Sequence, residues 1–126
     1  MNILLVEQSR YIRDNLITYL ELNIIFDTVL SADNVKETLD IMSSTIMDIV
    51  LFDLQLPDRN GFDIVTFAND LPKRPLLIMV SDFTQSQYKK SYEQLGIDYF
   101  FDKSRDLEKL KRFLSELTGH NRINQS

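Results

Sequence analysis

Four short apolar runs each stop at residues that can do chemistry. ILLV at 3–6 is followed by Glu7 and Gln8, IVLF at 49–52 by Asp53, LLIMV at 76–80 by Ser81 and Asp82, and YFF at 99–101 by Asp102 and Lys103. Carboxylates, a hydroxyl and a lysine suit phosphoryl transfer. A carboxylate can attack phosphorus and become an acyl phosphate, a divalent cation and a lysine can neutralise the equatorial oxygens, and a hydroxyl can hydrogen-bond one of them. Mg2+ takes oxygen ligands and keeps several waters, so two or three protein oxygens would hold it. No sulfur or imidazole is needed.

Residues so far apart in the chain can act together only if the fold gathers them. The four runs are continuous rather than alternating, which suits strands of a parallel sheet covered on both faces. A fifth candidate, IFDTVLS at 25–31, alternates in part and fits a sheet edge. Between the runs lie helical spacings: Ile12, Leu16 and Leu20; Val35, Leu39 and Met42, with Asp33 as a candidate cap; and the segment 62–70. Thr84 can cap a helix containing Tyr88, Tyr92 and Leu95 that Gly96 would end; Ser104 can cap one containing Leu107, Leu110, Leu114 and Leu117 that Gly119 would end. Strand and helix therefore alternate five times, which implies a three-layer α/β domain with a parallel sheet and right-handed crossovers. Every strand of such a sheet ends on the same side, where ligands bind. That edge would collect Glu7, Asp53, Ser81, Asp82, Asp102 and Lys103.

Bulk composition narrows the function classes. The 126 residues suit one domain, and 44% hydrophobic with 26% charged residues is the balance of an ordinary globular protein. A net charge of −5 argues against a broad grip on nucleic-acid phosphates by this domain. Without cysteine there is no disulfide, zinc-thiolate or thiol nucleophile. Met1 precedes a short apolar segment with no basic region before it, and no apolar stretch approaches membrane-spanning length, so a cytoplasmic location without membrane insertion is expected. Residues 1–118 are read as the domain, and GHNRINQS at 119–126 as a polar tail or the start of a linker.

An acid after the first strand, Asp53 ending the third, Pro57 and Gly61 four and eight residues later, Ser81 ending the fourth and Lys103 ending the fifth together resemble the receiver domain of two-component response regulators. The resemblance covers residues 1 to about 118. It implies the flavodoxin-like strand order 2-1-3-4-5, with Asp53 accepting a phosphoryl group from a histidine kinase or a histidine phosphotransfer protein. Ser81 would contact that group, Lys103 would pair with it, and Glu7, Asp53 and the backbone carbonyl of Gln55 would help bind Mg2+. Phe100 matches an aromatic whose rotation accompanies movement of Ser81. Output would pass through a face spanning roughly residues 84–118, to an effector domain or a downstream protein, with a homodimer as one form. Such a domain is a phosphoacceptor in signalling rather than an enzyme, assisting at most its own phosphorylation and dephosphorylation.

Two positions depart from the pattern. The family usually has two adjacent acids after the first strand, and here the second is Gln8. A neutral amide offers a carbonyl oxygen but no charge, and one unit charge pair at ~4 Å with an effective dielectric near 20 is worth ~4 kcal/mol before desolvation. Weakened Mg2+ binding is expected, and Glu7 could reach the ion, Asp82 could supply the charge, or the domain could be a pseudo-receiver that signals by binding alone. The second departure is Ser104, where the family commonly has a proline after a cis bond; without proline a trans bond is the default.

Several residues have simpler readings. Asp58, Asn60 and Gly61 suit turn chemistry, with Gly61 supplying a positive φ or room for a tight approach. His120 lies in a polar tail without partner ligands. Phosphatases with an aspartate nucleophile after a strand need an acid two residues on, where this chain has Gln55, and a flavin-binding loop would need glycine where EQSRYIRD has none.

Overall fold

A computed structural model describes residues 1–82 and 89–119, with the side chains of 89–91 left out. Strands β1 (Asn2–Val6), β2 (Thr28–Ala32), β3 (Ile49–Phe52), β4 (Leu76–Ser81) and β5 (Tyr99–Asp102) alternate with helices α1 (Arg10–Asn23), α2 (Val35–Ser44), α3 (Phe62–Asn69), α4 (Lys89–Gln94) and α5 (Leu107–Thr118). All four strand pairings are parallel and the order is β2-β1-β3-β4-β5, as expected. The cap expected of Thr84, the position of Tyr88 and the tail with His120 fall outside the described residues.

The continuous apolar runs conceal a period of two. Leu4, Val6, Val50, Phe52, Leu77 and Met79 pack with α2 and α3 residues such as Val35, Met42, Ile64 and Ala68. Their neighbours Ile3, Leu5, Ile49, Leu51, Ile78 and Val80 pack on the other side with Leu16 and Leu20 of α1 and Leu110 and Leu114 of α5. Both faces are covered, so both sets of alternate residues must be apolar.

Some local expectations need correction. The edge strand β2 begins at Thr28, not Ile25. Its first partner is Asn2 at the start of β1, while Ile24 is buried at the end of α1 and Asp27 accepts a hydrogen bond from the Met1 amino group at 2.5 Å. Helix α2 is capped by Asn34, whose Oδ1 accepts from Glu37 N at 2.8 Å, and not by Asp33, which instead accepts from the Asn34 side chain. Helix α5 begins too late for Ser104 to cap it; Asp106 is its N-cap residue, without a side-chain cap bond. Gly119 ends α5 in the left-handed region at φ 64°, as anticipated.

The turn after β3 is more than a reversal. Gly61 has φ −62°, so no left-handed backbone is involved; it is glycine because a Cβ there would lie 2.5 Å from the Asp53 carbonyl oxygen. Asp58 reaches across 23 residues to accept from Val35 N at 2.8 Å and, through its other oxygen, from Lys36 N at 2.9 Å. It therefore serves the positive end of α2. The Val35 amide, with those of Lys36 and Arg59, holds the Asp58 carboxyl below its ordinary pKa against the opposing effect of burial.

A depressed carboxyl pKa stabilises the fold above the unfolded value, and the contribution fades as pH falls through the folded one. Asp58→Ala is accordingly expected to lower the melting temperature at pH 7. The gap from the unmodified protein should shrink as the pH drops below the ordinary aspartate value of 3.8, and thermal denaturation across pH will check it.

Candidate functional site

The carboxyl ends of β1, β3, β4 and β5 bring Glu7, Asp53, Ser81 and Lys103 into one hydrogen-bonded cluster. Register does this: Val6 pairs with Phe52, Phe52 with Met79, and Ser81 with Asp102, so Glu7 and Asp53 arrive level at one edge, with Ser81 and Lys103 slightly further along the neighbouring strands. Glu7, Asp53 and Ser81 are 5%, 4% and 5% exposed. Three polar groups this buried need partners, and each has one.

Asp53 stands at the centre. Its Oδ1 accepts from the Ser81 hydroxyl at 2.8 Å and from the backbone N–H of Gln55 at 3.0 Å, and its Oδ2 accepts from the Lys103 ammonium. The same ammonium donates to Glu7 Oε1 at 2.9 Å. One positive charge thus faces two negative ones. Burial works against the charged lysine, but the hydrogen bonds and charges of Asp53 and Glu7 prevail and raise the Lys103 pKa above its ordinary value.

Further groups hold these residues in place, and the sequence did not reveal them. Ser9 N donates to Glu7 Oε1 at 3.1 Å, and Arg13 of α1 donates to the Glu7 carbonyl at 2.8 Å. Ser9 also caps α1, accepting from Ile12 N at 3.4 Å. A serine just ahead of a helical pattern is the signal that could have found it. The Lys103 amide donates to the Ser81 carbonyl at 3.1 Å, joining the loop after β5 to the end of β4. Among the described residues no peptide bond is cis, so Lys103–Ser104 is trans as expected.

Other residues lie apart from the cluster or at its border. Gln8 is exposed beside the buried Glu7. Asp82 is exposed, and its Oδ1 accepts from the Ser104 hydroxyl at 2.8 Å. Phe100 is half-buried and packs on the α2/α3 side, with its ring 5.7 Å from that of Tyr92 in α4 and inclined by 29°.

Oxygen donors for a divalent cation are few. Glu7 and Asp53 contribute two buried carboxylates, and among the described residues no group of three or more His, Cys, Asp or Glu gathers into a metal site. Two carboxylates with a main-chain carbonyl still fit a magnesium ion that retains most of its waters.

This geometry has relatives. The family model of the response regulator receiver domain matches residues 3–115. The chain belongs to that family. The curated protein "Sensory transduction protein LytT" of Bacillus cereus is 28% identical over 116 residues, covering 90% of this chain and 47% of its own length. "Sensory transduction protein LytR" of Staphylococcus epidermidis is 28% identical over 108 residues, covering 83% of this chain and 42% of its own. The chain therefore spans about half the length of these relatives. Among solved structures, the signal receiver domain of a DNA-binding response regulator from Colwellia psychrerythraea superposes with a TM-score of 0.82 at 20% identity, covering 95% of this chain and 99% of that one. A CheY-like receiver domain protein from Methanospirillum hungatei gives 0.78 at 23%, covering 94% and 93%. The receiver domain is a signalling domain, and among the described residues no helix is long and apolar enough to cross a membrane.

Removing Lys103 would leave two buried carboxylates facing each other. Lys103→Met is expected to destabilise the receiver domain by about 3 kcal/mol at pH 7, the scale of a broken buried ion pair. Because the folded pKa is raised, the ammonium contributes fully below the ordinary lysine value of 10.5 and loses its effect only as pH rises through the folded value. Chemical denaturation should therefore show the same loss at pH 7 and pH 9, and Glu7→Gln in the same chain should recover part of it.

Proposed function

We propose that this receiver domain, residues 1–118, accepts a phosphoryl group on Asp53 from a histidine kinase or a histidine phosphotransfer protein. The observation that carries the reading is the convergence of the Ser81 hydroxyl and the Lys103 ammonium on opposite oxygens of one buried aspartate. An Asp53 oxygen attacks phosphorus, the phosphorus–nitrogen bond of the phosphohistidine breaks with its electron pair returning to the imidazole, and an acyl phosphate forms. Lys103 then pairs with the phosphoryl oxygens and Ser81 donates to one of them, while the Gln55 amide holds the carboxyl group in place. Glu7, Asp53 and the Gln55 carbonyl are the residues that would hold Mg2+, with Gln8 able to add an amide oxygen. The ion would supply positive charge to the transferring group.

Release of Ser81 and Lys103 from Asp53 would be felt at β4 and β5, and the stacking of Phe100 on Tyr92 links β5 to α4. This favours output through α4, β5 and α5, toward an effector domain, a downstream protein or a second copy. The longer curated relatives are consistent with a receiver that works beside a further domain, and the cytoplasm is where a kinase would meet it. A pseudo-receiver that signals by binding alone is the second reading; it is favoured by the exposed, uncharged Gln8 and by the small set of carboxylates.

Intact mass after incubation with acetyl phosphate separates the two. A Mg2+-dependent gain of one phosphoryl group, lost in Asp53→Asn, is the expected result; no gain under any condition would transfer the assignment to the pseudo-receiver. A companion expectation concerns the metal. Gln8→Asp should tighten Mg2+ binding roughly tenfold, a fraction of the ~4 kcal/mol that a close charge pair supplies before desolvation. Calorimetric titration reads it directly, and unchanged affinity would remove position 8 from the metal site.

A further inference from the structure

Ser81 at the end of β4 and Lys103 just after β5 grip Asp53, and a side-chain contact joins the residues that follow them, just outside the cluster. Ser104 N donates to Asp102 Oδ1 at 2.8 Å, which folds the residue back over the end of β5. Its hydroxyl oxygen then lies 2.8 Å from Asp82 Oδ1 and 3.0 Å from Asp102 Oδ1. The hydroxyl thus lies within hydrogen-bond reach of both carboxylates, and its contact to Asp82 is the one that crosses from β5 to the end of β4. Asp82 follows Ser81 directly and Ser104 follows Lys103 directly. The bond therefore spans the two loops one residue beyond the two groups that hold the aspartate. A proline at 104 could make neither contact, having no N–H and no hydroxyl.

In the resting arrangement both Asp53 oxygens are engaged, Oδ1 by Ser81 and Gln55 and Oδ2 by Lys103. An attacking oxygen must shed its donors, and Ser81 and Lys103 must swing to the incoming phosphoryl oxygens. Anything that fastens the residues next to them to each other opposes that swing.

We propose that Ser104 and Asp82 form a latch between the loops after β4 and β5 that holds Ser81 and Lys103 in the resting position on Asp53, making Ser104 a positioning residue. The part of this that concerns phosphorylation rests on the reading of Asp53 as acceptor. The latch itself does not, because the Lys103 amide, which donates to the Ser81 carbonyl at 3.1 Å, reports on the same pair of loops without any phosphoryl group.

Two readouts on the same variants test it. Loss of one intramolecular hydrogen bond corresponds to a change of about 2- to 10-fold. Ser104→Ala and Asp82→Ala should each speed uptake of phosphoryl from acetyl phosphate by that factor, and the double variant should match either single one, since they remove the same bond. Ser104→Thr, which keeps the hydroxyl, should retain the original rate. In parallel, hydrogen exchange of the Lys103 amide should quicken by a similar factor in Ser104→Ala, while the Glu7 amide, bonded to the Ala32 carbonyl at 3.0 Å, stays unchanged. Effects that add in the double variant, or a Lys103 amide indifferent to Ser104→Ala, would overturn the latch. Should the unmodified protein take up no phosphoryl group, the acceptor reading falls, and the exchange measurement alone decides the latch.

Discussion

One ammonium group is shared by two carboxylates that reach it from different strands, and much of this molecule can be understood as the means of bringing that about. Lys103 bonds both Glu7 and Asp53, partners 96 and 50 positions away along the chain. A contact of such sequence separation cannot form until β1, β3 and β5 share a sheet. Nor can the three groups be buried singly, because a desolvated charge without its partner is costly. Sheet order and charge placement are therefore mutually dependent, since the fold assembles the cluster and the cluster tolerates burial only in that fold.

The two-sided core makes the edge possible. With α2 and α3 on one face and α1 and α5 on the other, alternate residues of β1, β3 and β4 are driven apart into two apolar layers. Polar side chains can leave those layers only at strand ends, and Glu7, Asp53 and Ser81 do so on consecutive neighbouring strands. Tyr19 adds a tie on the α1/α5 side, with its hydroxyl 3.0 Å from Ser115 Oγ and the Lys111 ammonium 5.2 Å from its ring centre.

Much of this was legible in the sequence, for reasons that can be named. Continuous apolar runs ending in Glu7, Asp53, Ser81 and Lys103 gave both the strands and the edge where they meet, because parallel connections leave few topologies to choose among. What stayed hidden was fixed by partners far away in the chain. Asp58 looked like a turn residue and serves the start of α2; Asp33 looked like that helix's cap, and Asn34 takes the place. Ser104 looked like a cap for α5 and instead bridges to Asp82. Short polar side chains accept many local geometries, and only the tertiary arrangement chooses. Gly61 shows the same limit, since its need for space came from the Asp53 carbonyl and not from its own dihedral angle.

That glycine gives the site a mechanical asymmetry. The peptide carbonyl of Asp53 sits where a Gly61 side chain would have been, and the Gly61 amide is bonded to the Leu54 carbonyl at 2.8 Å. The backbone at the aspartate is packed closely against the residue that leads into α3. Across the site, Ser81 at the end of β4 and Lys103 after β5 are linked by the Lys103 amide bond to the Ser81 carbonyl and by the contact of Ser104 with Asp82. On the phosphorylation proposed for Asp53, the added charge would meet close-packed backbone toward α3 and hydrogen-bonded side chains toward β4 and β5.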